Sequence, residues 1–344
     1  MARKKLRILF KTAGGIAPKK ELGLGHIYRT INLAKRMKFH DIYFLLEDYG
    51  GAKSILKNNG FENIFIMKAG INLKNDINES KKLIDKLGFK ILVVDKFGLN
   101  NNYLDSLRNF VKIVVISDLN YINFKADLVV NGFIGFKNSE KRNRYNSSCL
   151  IGPKYQILDK RYEIKRKFRK KYDLIASFGG YDEKNICDIL LKSLEHYLPK
   201  IKAKIVLGNA TKKTPIIRKF ERKYSKYVSI VQTSENFHED ICQSKYGLCS
   251  GGITSYEYAS SGIPFGIICQ VKHQLKTAKI WEKNCTAQNL GLVGCHTYKK
   301  IENFLTHIIE GELPYPYKKS NLVDGLGGKR VATEILKNLG KVET

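Results

Sequence analysis

Acidic residues are scarce in this chain: 32 Asp+Glu stand against 61 Lys+Arg, a formal net charge of +29. An excess of that size raises the question of nucleic acid or an anionic membrane surface. Here it is mostly scattered lysine, which points away from a specific nucleic-acid interface and leaves weak association with an anionic membrane surface. The densest basic run, residues 160–171 (KRYEIKRKFRKK), reads as a solvated helix or linker. Cysteines are few and unpaired in pattern: Cys149, Cys187, Cys242, Cys249, Cys269, Cys285 and Cys295 form no CxxC and are odd in number. That excludes a cysteine-based zinc site and a disulfide framework and predicts a cytoplasmic protein. No apolar run approaches the roughly 20 residues that span a bilayer, and no N-terminal signal segment is read.

Motifs are missing as well. There is no Asp-x-Asp, Walker A loop, HExxH or GxSxG, which disfavours metal-dependent glycosyl transfer of the Asp-x-Asp type, P-loop chemistry and zincin chemistry. The glycines at Gly23 and Gly25 lack the third glycine of the dinucleotide fingerprint and are followed by His26, which argues against an NAD site.

What is present is a doubly wound pattern. Short apolar runs at 5–10 (KLRILF), 41–46 (DIYFLL), 62–67 (ENIFIM), 90–95 (KILVVD), 112–117 (KIVVIS) and 127–132 (DLVVNG) alternate with helical stretches. This predicts a mainly parallel sheet covered on both faces. The pattern restarts at 172–180 (YDLIASFGG), 203–209 (AKIVLGN), 228–233 (VSIVQT), 246–252 (YGLCSGG) and 265–270 (FGIICQ). The expected architecture is α/β with two Rossmann-like domains, 1–155 and 168–344, facing across a cleft and joined by a basic linker at 156–167. No internal repeat is evident beyond the shared architecture.

The segment Gly23-Leu24-Gly25-His26-Ile27-Tyr28-Arg29 carries the sharpest signal. Ile27, Ile31, Ala34 and Met37 recur at helical spacing, so His26 and Arg29 fall in the first turn of a helix behind a glycine loop. The partial positive charge of a helix N-terminus favours a neutral imidazole, the form that accepts a proton. Arg29, one turn on, is placed to meet a phosphate or a carboxylate. The plainer reading makes His26 a cap and Arg29 a solvated cation. Asp95 and Asp118 fall at strand ends, where such sheets place their ligand crevice. In the second half, Gly179-Gly180, Gly208 and Ser250-Gly251-Gly252 are turns after strands whose amides suit a diphosphate. A helix from near Thr254 would carry Glu257 one turn in, a carboxylate matched to a ribose diol.

Taken together, GLGHIYR, Asp95-Lys96-Phe97-Gly98, Gly179-Gly180, the SGGITSYEYASSGIP block, Gln274 and the 324–330 segment DGLGGKR resemble the PseG/SpsG family. These are UDP-sugar hydrolases of pseudaminic acid biosynthesis and their spore-coat polysaccharide relatives, similar in fold to MurG. The resemblance covers most of the chain. It implies a GT-B fold and metal-independent, cofactor-free hydrolysis of a UDP-activated amino- or deoxy-sugar. His26 would be the base and Asp95 a second catalytic residue. UDP and sugar would be bound by Gly23, Gly25, Arg29, Gly179, Gly180, Gly208, Ser250, Gly251, Gly252, Thr254, Glu257, His273 and Gln274. Two departures stand out: Phe97 where the family often has Tyr, and His273-Gln274 where it has Asn-Gln. The loop before the glycines is also longer, with Pro18 to Glu21 inserted. A MurG-like glycosyltransferase using the same donor and a catalytically silent sugar-nucleotide binding protein are the alternative readings.

Overall fold

The computed structural model describes residues 5–15, 24–118, 121–136, 141–164, 167–313 and 315–340. Gly23 and the inserted Pro18 to Glu21 lie outside them. Among the described residues, no helix is long and apolar enough to cross a membrane.

The chain divides into two compact units, residues 1–160 with 325–344, and residues 161–324. The first holds strands β1 (Arg7–Gly14), β2 (Asp41–Asp48), β3 (Ile64–Met67), β4 (Ile91–Asp95), β5 (Lys112–Ser117), β6 (Leu128–Asn131) and β7 (Ser148–Ile151). Its helices are α1 (Gly25–Ala34), α2 (Ala52–Asn58), α3 (Leu73–Leu87) and α4 (Asn101–Leu107). The second holds β8 (Tyr172–Ser177), β9 (Ala203–Leu207), β10 (Val228–Gln232), β11 (Ser244–Cys249), β12 (Phe265–Cys269) and β13 (Ala287–Leu292). Its helices are α5 (Ile186–Glu195), α6 (Pro215–Lys223), α7 (Phe237–Cys242), α8 (Ile253–Ser261), α9 (Gln274–Lys283) and α10 (Thr297–Glu310), and the last helix of the chain is α11 (Gly327–Asn338).

Both sheets are parallel throughout, in the orders β3-β2-β1-β4-β5-β6-β7 and β10-β9-β8-β11-β12-β13. Strand order reverses between β1 and β4 in one and between β8 and β11 in the other, and crevices beyond the strands' carboxyl ends at such reversals are where these sheets bind ligands. The central strands are buried on both faces, which is why they read as unbroken apolar runs: all five residues of β4 are buried. On one face of the first sheet, Ile27, Ile31 and Ala34 of α1 pack with Ile8, Phe10 and Val93. Each of the larger of these side chains contributes roughly 1.5–3 kcal/mol by leaving water.

The end of the chain departs from the expected domain division. Helix α11 packs in the first unit, because Val331, Ala332 and Ile335 join the core that holds α1. The glycines of DGLGGKR permit this approach: a Cβ on Gly327 would stand 2.2 Å from the carbonyl oxygen of Gln156 and 2.8 Å from its backbone nitrogen. Backbone cannot give way as a flexible side chain does, so Gly327→Ala is expected to cost about 1–3 kcal/mol. The check is the urea midpoint of the variant against Gly294→Ala, where a Cβ meets nothing within 4 Å; the first should fall and the second should not.

Candidate active site

Residues 16–23, between β1 and α1, lie outside the described residues, and α1 opens at Gly25 with no side chain capping it. His26 is therefore on the first turn and points to the same sheet face as Asp95, the last residue of β4. In the register of β1 with β4, Thr12 is opposite Asp95, so the carboxyl end of β1 and this carboxylate lie side by side.

His26 Nδ1 lies 2.5 Å from Asp95 Oδ1. Arg29 donates from Nη2 to the same oxygen at 2.6 Å and from Nε to Asp95 Oδ2 at 2.7 Å. Burial alone pushes the Asp95 carboxyl upward, but the Arg29 charge and the His26 hydrogen bond outweigh it and hold it below the usual carboxylate range. An ionised Asp95 is acceptor-only, so the short contact places a proton on His26 Nδ1. Arg29 Nη2, 3.1 Å from that nitrogen, is then a neighbour of the ring and not its donor. Nε2 of His26 takes no hydrogen bond among the described residues and is left as the acceptor. His26 is 8% exposed, Arg29 6% and Asp95 0%. A buried imidazole fixed in one tautomer by a carboxylate, with its far nitrogen unclaimed, is the geometry of a general base.

Of the two kinds of partner open to Arg29, a phosphate or a carboxylate, the structure shows the carboxylate: the guanidinium clamps Asp95, a buried charge balanced by a buried charge. Burial opposes that charge, and Asp95 and then Asp118 hold the guanidinium more firmly protonated than usual. Asp118, after the end of β5, reaches Arg29 Nη2 at 3.3 Å and keeps 45% of its side chain exposed. Phe97 stands edge-on to the His26 ring, centroids 5.0 Å apart at 76°.

On the opposite face of the same strands lies a second charged cluster that sequence reasoning missed. Lys11, expected beyond the end of the first strand, lies within β1 and is 1% exposed. It pairs with Asp76 and donates to Ser80 Oγ at 3.2 Å. Burial pulls its pKa down to about 8, against the pull of Asp76. Lys96, next to Asp95, bonds Glu47 at 2.7 Å and Asp76 at 3.2 Å. These pairs tie the turn after β4, which carries Phe97, to β2 and α3. The only sequence signal is a lysine directly after an apolar run.

In the second unit the sequence-predicted turns gather at the carboxyl ends of β8, β9 and β11. Gly208 is a close-packing position: a Cβ there would stand 2.1 Å from the carbonyl oxygen of Gly179. Ser250 is buried and donates to the carbonyl of Phe178 at 3.3 Å, beside the Gly179-Gly180 turn. Helix α5, after that turn, is already served: Asp182 accepts from the amides of Ile186 and Cys187 at 2.9 and 2.7 Å. Helix α8 differs. Its N-terminus follows Gly251-Gly252, no side chain caps it and no acidic residue sits in its first turn, so the amides near Thr254 suit an anion. Glu257 lies one turn in, half-buried.

Gln274 braces these turns. Its Oε1 accepts from the Gln270 amide at 2.9 Å, and its Cβ packs against Gly251, where an added Cβ would come within 2.8 Å. Gln270, unforeseen, ties the turns together by donating to the Phe178 carbonyl at 2.7 Å and Ser250 Oγ at 3.1 Å. His273 is exposed at the start of α9.

No family model matches the chain. The spore coat polysaccharide biosynthesis protein SpsG of Bacillus subtilis is 27% identical over 347 residues, 94% of this chain and 96% of that protein. The UDP-2,4-diacetamido-2,4,6-trideoxy-beta-L-altropyranose hydrolase of Campylobacter jejuni is 25% identical over 282 residues, 79% and 95% of the two. Uncharacterized protein MJ1062 of Methanocaldococcus jannaschii is 26% identical over 89% of this chain, which spans 64% of that protein's length. Among solved structures, Acinetobacter baumannii MurG matches with TM-score 0.62 at 13% identity, over 96% of this chain and 99% of that one. Staphylococcus aureus MnaA with UDP gives 0.63 at 13% identity, over 98% of each. With the two parallel sheets, these neighbours make the fold GT-B type.

Proposed function

With the resemblance to the PseG/SpsG family borne out, we propose that the protein processes a UDP-sugar in polysaccharide or nonulosonic acid biosynthesis, as a hydrolase releasing UDP and free sugar. The observation that carries this reading is the His26–Asp95–Arg29 arrangement, which leaves His26 Nε2 as the acceptor. In the proposed reaction a water oxygen attacks the anomeric carbon of an amino- or deoxy-sugar and gives its proton to Nε2. The bond from that carbon to the diphosphate oxygen breaks, UDP leaves with the electron pair, and configuration inverts. Asp95 stabilises the imidazolium that forms, and Arg29 keeps Asp95 ionised and in place. The uncapped start of α8 after Ser250-Gly251-Gly252 is the proposed diphosphate site, with Glu257 for the ribose.

The test is UDP release from a panel of UDP-activated amino- and deoxy-sugars without an acceptor. Release of UDP and free sugar in equal amounts is the expected result. The same base would equally deprotonate an acceptor hydroxyl, and the excess of basic charge suits an anionic membrane surface. UDP release only on adding an acceptor-containing membrane extract would therefore establish the transferase reading in place of the hydrolase.

A further inference from the structure

Two carboxylates share Arg29, and only one of them is needed to balance it. Asp95 is fully buried and takes two bonds from the guanidinium, at 2.6 and 2.7 Å. That bidentate pair already matches the single positive charge. Asp118 is the surplus. Its one side-chain contact among the described residues is the longer 3.3 Å bond from Arg29 Nη2 to Oδ2, so Oδ1 and most of its lone pairs remain for another donor. The same Nη2 lies 3.1 Å from His26 Nδ1, which sets this exposed carboxylate beside the base.

The charge of the cluster says what it can receive. Arg29 against Asp95 and Asp118 leaves a net negative charge when His26 is neutral, and a diphosphate brought to Asp118 would be repelled. A neutral group rich in O–H and N–H donors would be held. Phe97, 47% exposed and edge-on to His26, adds an apolar surface beside the same base. Apolar ring and carboxylate acceptor together match a pyranose, whose C–H face rests on aromatic surface while its hydroxyls and amide N–H groups point outward to acceptors.

We propose that Asp118 is a sugar-binding residue, accepting a hydrogen bond from a ring hydroxyl or an amide N–H of the substrate's pyranose. This rests on the reading of His26 as the base acting at the sugar. It assigns specificity for the sugar to the His26 cluster of the first unit.

The experiment is calorimetry in a His26→Ala background, which prevents turnover, with UDP and with each UDP-sugar of the panel as probes. Adding Asp118→Ala should weaken the UDP-sugars about tenfold, a change of about 1.4 kcal/mol, while UDP itself changes less than twofold. Asp118→Asn, which keeps one acceptor oxygen, should fall between. The paired UDP titration reports that the variant is folded. Equal loss for UDP and the UDP-sugars, or no loss for either, overturns the assignment. Because binding is read without turnover, a transferase would give the same calorimetric pattern. Failure of the hydrolase reading and failure of this one are therefore separately visible.

Discussion

Substituting His26 with Ala is expected to lower turnover by about a thousandfold while leaving UDP affinity within a few fold. A positioned base contributes on the order of 10²–10⁴ in rate, and the only imidazole nitrogen aimed away from Asp95 is lost with the side chain. Asp95 keeps both Arg29 bonds in this variant, so no buried charge is stranded and the fold stands. Adding imidazole to the variant should restore part of the rate, since the space vacated lies beside an intact carboxylate. Normal turnover in His26→Ala would eliminate the proposed base.

The second large effect belongs to Asp95. Its removal strands the Arg29 guanidinium, 6% exposed, with only the half-exposed Asp118 at 3.3 Å to answer it. Breaking a buried pair in this way costs about 3–5 kcal/mol, so Asp95→Ala should unfold at markedly lower urea. Asp95→Asn keeps the shape and separates chemistry from folding. An amide cannot hold the imidazole in its Nδ1–H form as a carboxylate does, and turnover should drop on the order of 10³-fold or more. The pH dependence of stability carries the same signature. The Asp95 carboxyl is held below its ordinary value of 3.8, so its contribution is complete above that pH and is lost as pH falls through the lowered value. The stability gap between the wild type and Asp95→Asn should therefore be constant near neutrality and close in strong acid. A gap independent of pH down to pH 2 would contradict the ion pair.

Much of this was readable from sequence, for a physical reason. A parallel sheet buried on both faces demands continuous apolar strands, and each central strand announced itself as such a run. The two strands that escaped notice, β7 and β13, are edge strands with alternating or partial burial, so nothing forced their residues to be uniformly apolar. His26 and Asp95 were legible because both lie at strand or loop ends. Their union with Arg29 was not, since 66 residues separate Arg29 from Asp95 and only the β1–β4 register brings them together. The same holds for Lys11, whose Asp76 partner lies 65 residues away on α3, and for Gln270, which looked like any polar residue after a strand.

The place of α11 has a consequence for how the molecule is made. In chain order, the whole second unit is an insertion between the body of the first and its final helix. On the ribosome, the first sheet emerges early but lacks Val331, Ala332 and Ile335 until every residue of the second unit has been synthesised. The unit that begins first is therefore finished last, and its core waits partly open while the other completes itself.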